Sequence, residues 1–119
     1  MLATALKVIL DALPGATVGP VPGPRGASRD ALLYKVMGKV FAILAPGAVG
    51  LKCDPHLADV LREQYVGVGH YRHFLRNWIS VSFESDVPPR EIERLTAGSY
   101  DLVCSGLTRK QRADLAALR

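Results

Sequence analysis

Cysteine, long apolar runs and targeting signals are all scarce in this sequence. The chain has two cysteines, Cys53 and Cys104, which are too few for a disulfide scaffold and fit a reducing compartment. No apolar run approaches the roughly 18 residues that a membrane span needs. The first segment carries Lys7 and Asp11, and no clear small-residue cleavage site follows it, so no signal peptide is apparent. These absences predict a cytoplasmic protein that makes no membrane contact.

Side chains that could bind a metal or perform catalysis are also sparse. His70 and His73 lie three residues apart, but zinc needs three or four ligands and no acid lies between Glu63 and Glu84. We find no nucleophile–base–orienter set and no cofactor fingerprint. The glycine-rich run at 23–28 lacks the Gly-Lys-Ser/Thr ending of a phosphate-binding loop. We therefore predict no catalytic residues, no metal and no cofactor, in a protein that is not an enzyme.

What the sequence does have is a basic middle. The chain of 119 residues carries 15 basic and 11 acidic side chains, a net charge of +4, and a pI near 9.3. This balance is compatible with a polyanionic partner. Two stretches, 31–53 and 64–83, contain basic residues and no acid. Their lysines and arginines are Lys35, Lys39, Lys52, Arg72 and Arg76. The alternative is that strand-rich segments carry few charges and that these side chains are simply solvated.

The hydrophobic pattern predicts one α+β domain over 1–119. Apolar residues at helical spacing predict a helix over 2–13, followed by a Pro/Gly-rich loop at 14–30. Short β-rich runs predict strands at 31–37, 39–45, 48–53 and 78–84. Helices are predicted to begin at Asp54-Pro55, at Pro88-Pro89 and, through a Thr108–Gln111 capping box, at 109. The predicted buried stripe of the second helix is Leu57, Val60, Leu61 and Tyr65. Short links between the first three strands indicate an antiparallel sheet, with helices on one face, in a two-layer sandwich.

Four short runs stand out by their order and spacing: Gly38-Lys39-Val40-Phe41-Ala42, Leu51-Lys52-Cys53-Asp54-Pro55, Trp78-Ile79-Ser80-Val81 and Ser99-Tyr100. Together they resemble the MmcQ/YjbR family of small bacterial proteins, from about Leu6 to Leu118. The resemblance implies a two-layer fold like that of secretion chaperones, with a double-wing likeness to a DNA-binding domain. It also implies DNA binding as the function. Members usually carry a His directly before the tryptophan, where this chain has Asn77.

The candidate binding residues follow from charge and strand parity. Trp78 shares a strand face with Ser80 and Ser82, opposite the apolar Ile79, Val81 and Phe83. An aromatic ring on the polar face could stack on a base, or it could pack under the loop at 71–77. With Trp78, the candidate nucleic-acid contacts are Lys35, Lys39, Lys52, Arg72 and Arg76.

We therefore predict a non-catalytic DNA-binding protein, a monomer or weak dimer, that binds through a basic, strand-rich face. The alternative is a protein-interaction or small-ligand module on a chaperone-like fold, with no nucleic acid.

Overall fold

The chain folds into an open sheet with helices on one side. This computed structural model describes residues 1–22, 28–71 and 77–118, except for the side chains of residues 28 and 29. The elements in chain order are α1 (Ala3–Ala12), β1 (Ala16–Val21), β2 (Ser28–Val36), β3 (Lys39–Leu44), β4 (Ala48–Lys52), α2 (Pro55–Gln64), β5 (Val68–His70), β6 (Trp78–Ser82), α3 (Pro89–Ser105) and α4 (Arg109–Ala117). In these ranges, no helix is both long and apolar enough to span a bilayer. The α+β class is confirmed.

The sheet is antiparallel, with the strand order β1-β2-β3-β4-β6-β5. Strands β2, β3 and β4 are antiparallel neighbours, as their short links predicted. The β2–β3 turn is tight because Met37 and Gly38 both have positive φ, 50° and 79°, as in the turns that suit a twisted hairpin. The β2–β3 register shifts between Tyr34 and Lys35, so Phe41 forms a bulge in β3.

One face of the sheet carries the core. Val49 pairs with Val81 and Leu51 pairs with Ile79, and all four side chains are fully buried. The predicted core positions Ile79, Val81 and Phe83 are confirmed. Each helix adds side chains to the same cluster, among them Leu6, Leu10, Ala58, Leu61, Ile92, Val103 and Leu115. All four helices therefore cover one face, and we call the opposite one the outer face.

Local capping chemistry sets where two helices begin. Asp54 accepts hydrogen bonds from the amides of His56 and Leu57, at 3.0 and 3.3 Å, and Pro55 follows at the first helical position. The Thr108–Gln111 capping box of α4 is present in both directions. Helix α3 also begins and ends where predicted, at Pro89 and before Gly106.

Helix α1 is fixed to the sheet by a buried phenol. The Tyr34 hydroxyl donates to Asp11 Oδ1 at 2.7 Å, and Lys7 Nζ lies 2.7 Å from the other oxygen of that carboxylate. Burial, and then the hydrogen bond to Asp11, raises the pKa of Tyr34 to about 12. Because Tyr34 stays a donor up to high pH, α1 keeps this contact over the physiological range.

Ser99 joins α3 directly to the sheet. Its hydroxyl accepts from the Lys52 amide at 2.8 Å and donates to the Phe41 carbonyl at 2.6 Å. The last paired residues of β3 and β4 are Ala42 and Leu51. The hydroxyl therefore bridges the two strands beside the bulge, where their own pairing ends.

The structure corrects three expectations. Residues 14–30 are not all loop, because β1 occupies 16–21 and β2 begins at 28. Pro20 is tolerated in β1 because an edge strand has one unpaired side. The three-residue β5 was not predicted at all. In α2 the buried residues are Ala58 and Leu61, whereas Leu57 and Val60 are about 42% exposed.

Candidate functional site

Two of the predicted phosphate contacts share the outer face of the sheet. Lys35 pairs with Val40 across β2 and β3, and Lys52 pairs with Trp78 across β4 and β6. Paired residues of neighbouring strands point to the same face, and Lys35 alternates with buried residues on either side. A single strand, β3, separates β2 from β4, so the two lysine backbones are roughly 10 Å apart. Both lie toward the β2–β3 turn, which we call the hairpin end.

The outer face carries no acidic side chain at the strand positions that the structure describes. These positions are Thr17, Gly19, Leu33, Lys35, Val40, Ile43, Ala48, Gly50, Lys52, Gly69, Trp78, Ser80 and Ser82. Most of them are small or apolar. Lys35 and Lys52 are therefore the charged groups among these positions, and no carboxylate among them offsets their charge.

An aromatic pair covers the centre of the outer face. A Cβ on Gly50 would lie 2.5 Å from Tyr71 Cε2, so the phenol ring rests on the bare backbone of β4. Tyr71 also packs against Trp78, with ring centroids 6.2 Å apart. Burial raises the pKa of Tyr71. Gly50 is thus a glycine because the ring occupies the space that a side chain would need.

Trp78 lies on the predicted face, but it is buried there. Its exposed fraction is 7%, and that of Ile43 on the same face is 6%. Neither residue belongs to the core cluster under the helices. The indole has little free surface on which a base could stack, so the packing supports the alternative that sequence analysis left open, a structural role for Trp78.

Lys39 lies on the other side of the sheet. It pairs with the buried Val36, and its Nζ donates to the Gly106 carbonyl at 3.1 Å. A cation at this position satisfies a carbonyl at the end of α3 and is favoured by the helix dipole. Lys39 therefore does not join Lys35 and Lys52 on the outer face, although it shares their end of the sheet.

Arg72 and Arg76 lie outside the described residues, and their role stays a prediction. The residues that bracket this segment are described. Tyr71 packs on the outer face, and the Asn77 carbonyl accepts from the Cys53 amide at 2.7 Å.

Three cations at the hairpin end were not among the residues predicted from the sequence: Arg109, Lys110 and Arg112. All three are exposed in the first turn of α4, which contains no acid. A run of cations at a helix start opposes the usual preference for acids there, and this signal is readable in the sequence. Their place beside the hairpin follows only from how α4 packs.

A small groove opens next to Lys52, between α2 and α3. Its volume is about 220 Å³. The lining residues are Lys52, Cys53, Asp54, Leu57, Ile79, Arg94, Leu95, Gly98, Ser99 and Leu102. Burial is the main cause that raises the pKa of Cys53, so its sulfur is held as a thiol rather than a nucleophilic thiolate. In the described ranges, no group of three or more His, Cys, Asp or Glu side chains could hold a metal.

These features define a two-layer α+β protein with an antiparallel sheet whose outer face is acid-free in the described strands. The family model for YjbR matches residues 11–102. The chain belongs to the YjbR family, as its sequence motifs indicate.

Relatives and solved structures agree with this assignment. The uncharacterized protein YjbR of Escherichia coli strain K12 is 33% identical over 72 residues, which are 60% of this chain and 61% of that protein. The match thus spans less than two thirds of the relative's length. The crystal structure of a Deinococcus radiodurans protein with a DUF419 domain superposes with a TM-score of 0.82 at 25% identity, covering 97% of this chain and 88% of that one. A Pseudomonas syringae structure, at 18% identity and a TM-score of 0.70, shares the fold and covers 86% of this chain and 98% of its own.

Proposed function

We propose that this protein is a non-catalytic DNA-binding protein that contacts the phosphate backbone through the hairpin end of its outer face. One observation carries the proposal: Lys35 and Lys52 share a face with no described strand carboxylate, about two strand spacings apart. Phosphates of one strand recur every 3.4 Å or so along the duplex axis, so two such lysines can reach one backbone segment. The net charge of +4 favours the same partner.

The binding is expected to be largely independent of sequence. Lysine contacts to phosphate position a nucleic acid without reading its bases. The ring that could read a base, Trp78, is buried. We propose the cytoplasm as the location, because it is a reducing compartment and both cysteines are free thiols.

The test is a binding titration of labelled duplex and single-stranded DNA at about 50 mM salt, where non-specific binding is strongest. The parent protein should bind, and its affinity should fall steeply with added salt. The variant Lys35→Gln/Lys52→Gln should melt almost like the parent, because both lysines are only half-buried and neither belongs to an ion pair found in the described residues. Its salt slope should be smaller by about two units, roughly one for each lost contact. Arg72→Ala/Arg76→Ala should act in the same way if those side chains extend the surface.

A control variant that removes the same number of charges distinguishes a local binding site from an effect of net charge. Lys7→Gln/Arg90→Gln also removes two positive charges, one from the middle of α1 and one from the start of α3. It should bind DNA nearly as the parent does. If both double variants weaken binding equally, net charge rather than the outer face is responsible. If the parent shows no affinity at about 50 mM salt, the proposal is wrong.

The groove beside Lys52 favours a second candidate function, a small-ligand or protein-interaction module. Leu57, Leu95 and Leu102 make much of its wall apolar. Binding there would depend on apolar burial, and so would respond weakly to salt. Leu57→Gln, which places an uncharged polar group in the groove and adds no negative charge beside Lys52, should weaken such binding and leave DNA binding unchanged.

A further inference from the structure

The first turn of α4 holds an unusual concentration of positive charge. Arg109, Lys110 and Arg112 are exposed there. The ion pairs found in the described parts of the chain are Lys7–Asp11, Arg62–Asp59 and Arg94–Glu91. None of them involves these three cations. Asp114, the acid of this helix, lies one turn later.

The positive charge of this first turn does not stabilise α4. The positive end of a helix dipole disfavours cations, and acidic residues are preferred in a first turn. The capping box satisfies two amides at the start of α4, since Thr108 Oγ1 accepts from the Gln111 amide at 3.1 Å and Gln111 Oε1 accepts from the Thr108 amide at 3.0 Å. The three side chains of this cluster are therefore exposed to solvent, and their charge destabilises the start of the helix that carries them.

Packing places the cluster at the same end of the sheet as Lys35 and Lys52. A Cβ on Gly15, just before β1, would lie 2.5 Å from Leu115 Cδ1 and 3.8 Å from Val36 Cγ2, so α4 packs over the end of β2. Lys39, the first residue of β3, bonds to Gly106. Arg109 is three residues further along, and its Cα is thus within about 11 Å of the Cα of Gly106.

We infer that Arg109, Lys110 and Arg112, together with Lys39, form a second phosphate-contacting surface on the helix side of the hairpin end. This inference rests on the proposed DNA binding and extends it to a helix outside the basic middle of the sequence. Lys35 and Lys39 lie on either side of the β2–β3 turn, so positive side chains border the hairpin on both faces of the sheet. A nucleic-acid backbone laid across the outer face would then also be held from the helix side.

The experiment compares two double variants that remove the same amount of charge. Arg109→Gln/Arg112→Gln removes two charges from the cluster. The control Lys7→Gln/Arg90→Gln removes one from the middle of α1 and one from the start of α3, about 24 Å along that helix from Gly106. With a labelled 20-base-pair duplex at about 50 mM salt, each lost phosphate contact weakens affinity roughly tenfold and lowers the salt slope by about one unit. We expect this loss for the α4 variant and little change for the control.

Thermal stability shows whether the cluster acts on binding or on folding. Removing cations from the first turn should leave the melting temperature unchanged or raise it, whereas affinity falls. Arg109→Lys/Arg112→Lys keeps the charge and should keep most of the affinity. The inference is overturned if the α4 variant binds like the control Lys7→Gln/Arg90→Gln, or if the lysine variant loses affinity as the glutamine variant does. Parent protein that does not bind the duplex would instead remove the proposed function, and this extension with it.

Discussion

Replacing Gly50 with alanine would test how the outer face is held together. The new Cβ would lie 2.5 and 2.7 Å from two carbons of the Tyr71 ring, closer than side chains pack in proteins. The ring would have to retreat by about 1 Å to reach ordinary contact. Tyr71 in turn packs on Trp78, so the substitution should open the aromatic pair as well as strain the strand.

The magnitude follows from comparison with a second glycine of the same face. Gly69 lies in β5, and nothing lies within 4 Å of where its Cβ would be. Gly50→Ala and Gly69→Ala alter the backbone entropy of a strand glycine in the same way. The difference between their stabilities therefore measures the steric clash at Gly50. Forcing an extra carbon into a packed site costs about 1–3 kcal/mol. For a chain of this size, each kcal/mol lowers the melting temperature by about 4 °C.

Two measurements make the outcome decisive. Thermal melts should place Gly50→Ala below Gly69→Ala by about 4–12 °C. Trp78 is the single tryptophan of the chain, and its emission should shift toward that of an exposed indole in Gly50→Ala. In a Tyr71→Ala background the cost of Gly50→Ala should vanish, because the clashing ring is gone. Equal melts for the two alanine variants, with unchanged emission, would refute this account of the outer face.

Two further predictions concern stability. Phe83→Ala should lower the free energy of unfolding by about 3–5 kcal/mol, because it removes a buried ring from the core; a denaturant melt like that of the parent would contradict the burial. The Asp86 carboxylate accepts from the amides of Val66 and Gly67 at 2.9 and 2.8 Å, which lowers its pKa. The folded state therefore binds this proton less readily than the unfolded state, and the stabilisation present above about pH 4 is lost as the pH falls through the lowered value. Asp86→Asn should reduce the acid dependence of the melting temperature, and a parent-like pH profile would count against the role of these bonds.

Sequence alone predicted the features that depend on neighbouring residues. The Asp54-Pro55 start of α2 and the Thr108–Gln111 box are local hydrogen-bond patterns, so they are readable without the fold. Strand β5 escaped prediction because three residues are too few to show alternation. In α2 the apolar residues recur at helical spacing, but the helix turns the small Ala58 toward the core and leaves Leu57 and Val60 half exposed.

The candidate site was predictable only in part, because it is assembled from distant segments. Strand parity correctly placed Trp78 opposite Ile79, but it could not show that Tyr71 would cover the indole. Lys39 looked equivalent to Lys35, and it differs because Gly106, 67 residues away, supplies a carbonyl. The cations of α4 were overlooked because their proximity to the hairpin depends on the docking of Leu115 against Gly15.

The hydroxyl of Ser99 couples the opening of the sheet to the movement of a helix. It bonds to the Lys52 amide on β4 and to the Phe41 carbonyl on β3, so neither group can be released to water while α3 stays docked. Hydrogen exchange at the Lys52 amide consequently reports the undocking of α3 rather than the separation of two strands. Strands and helix in this corner behave as one cooperative unit. A ligand held by Lys52 would slow that exchange by binding the docked form preferentially.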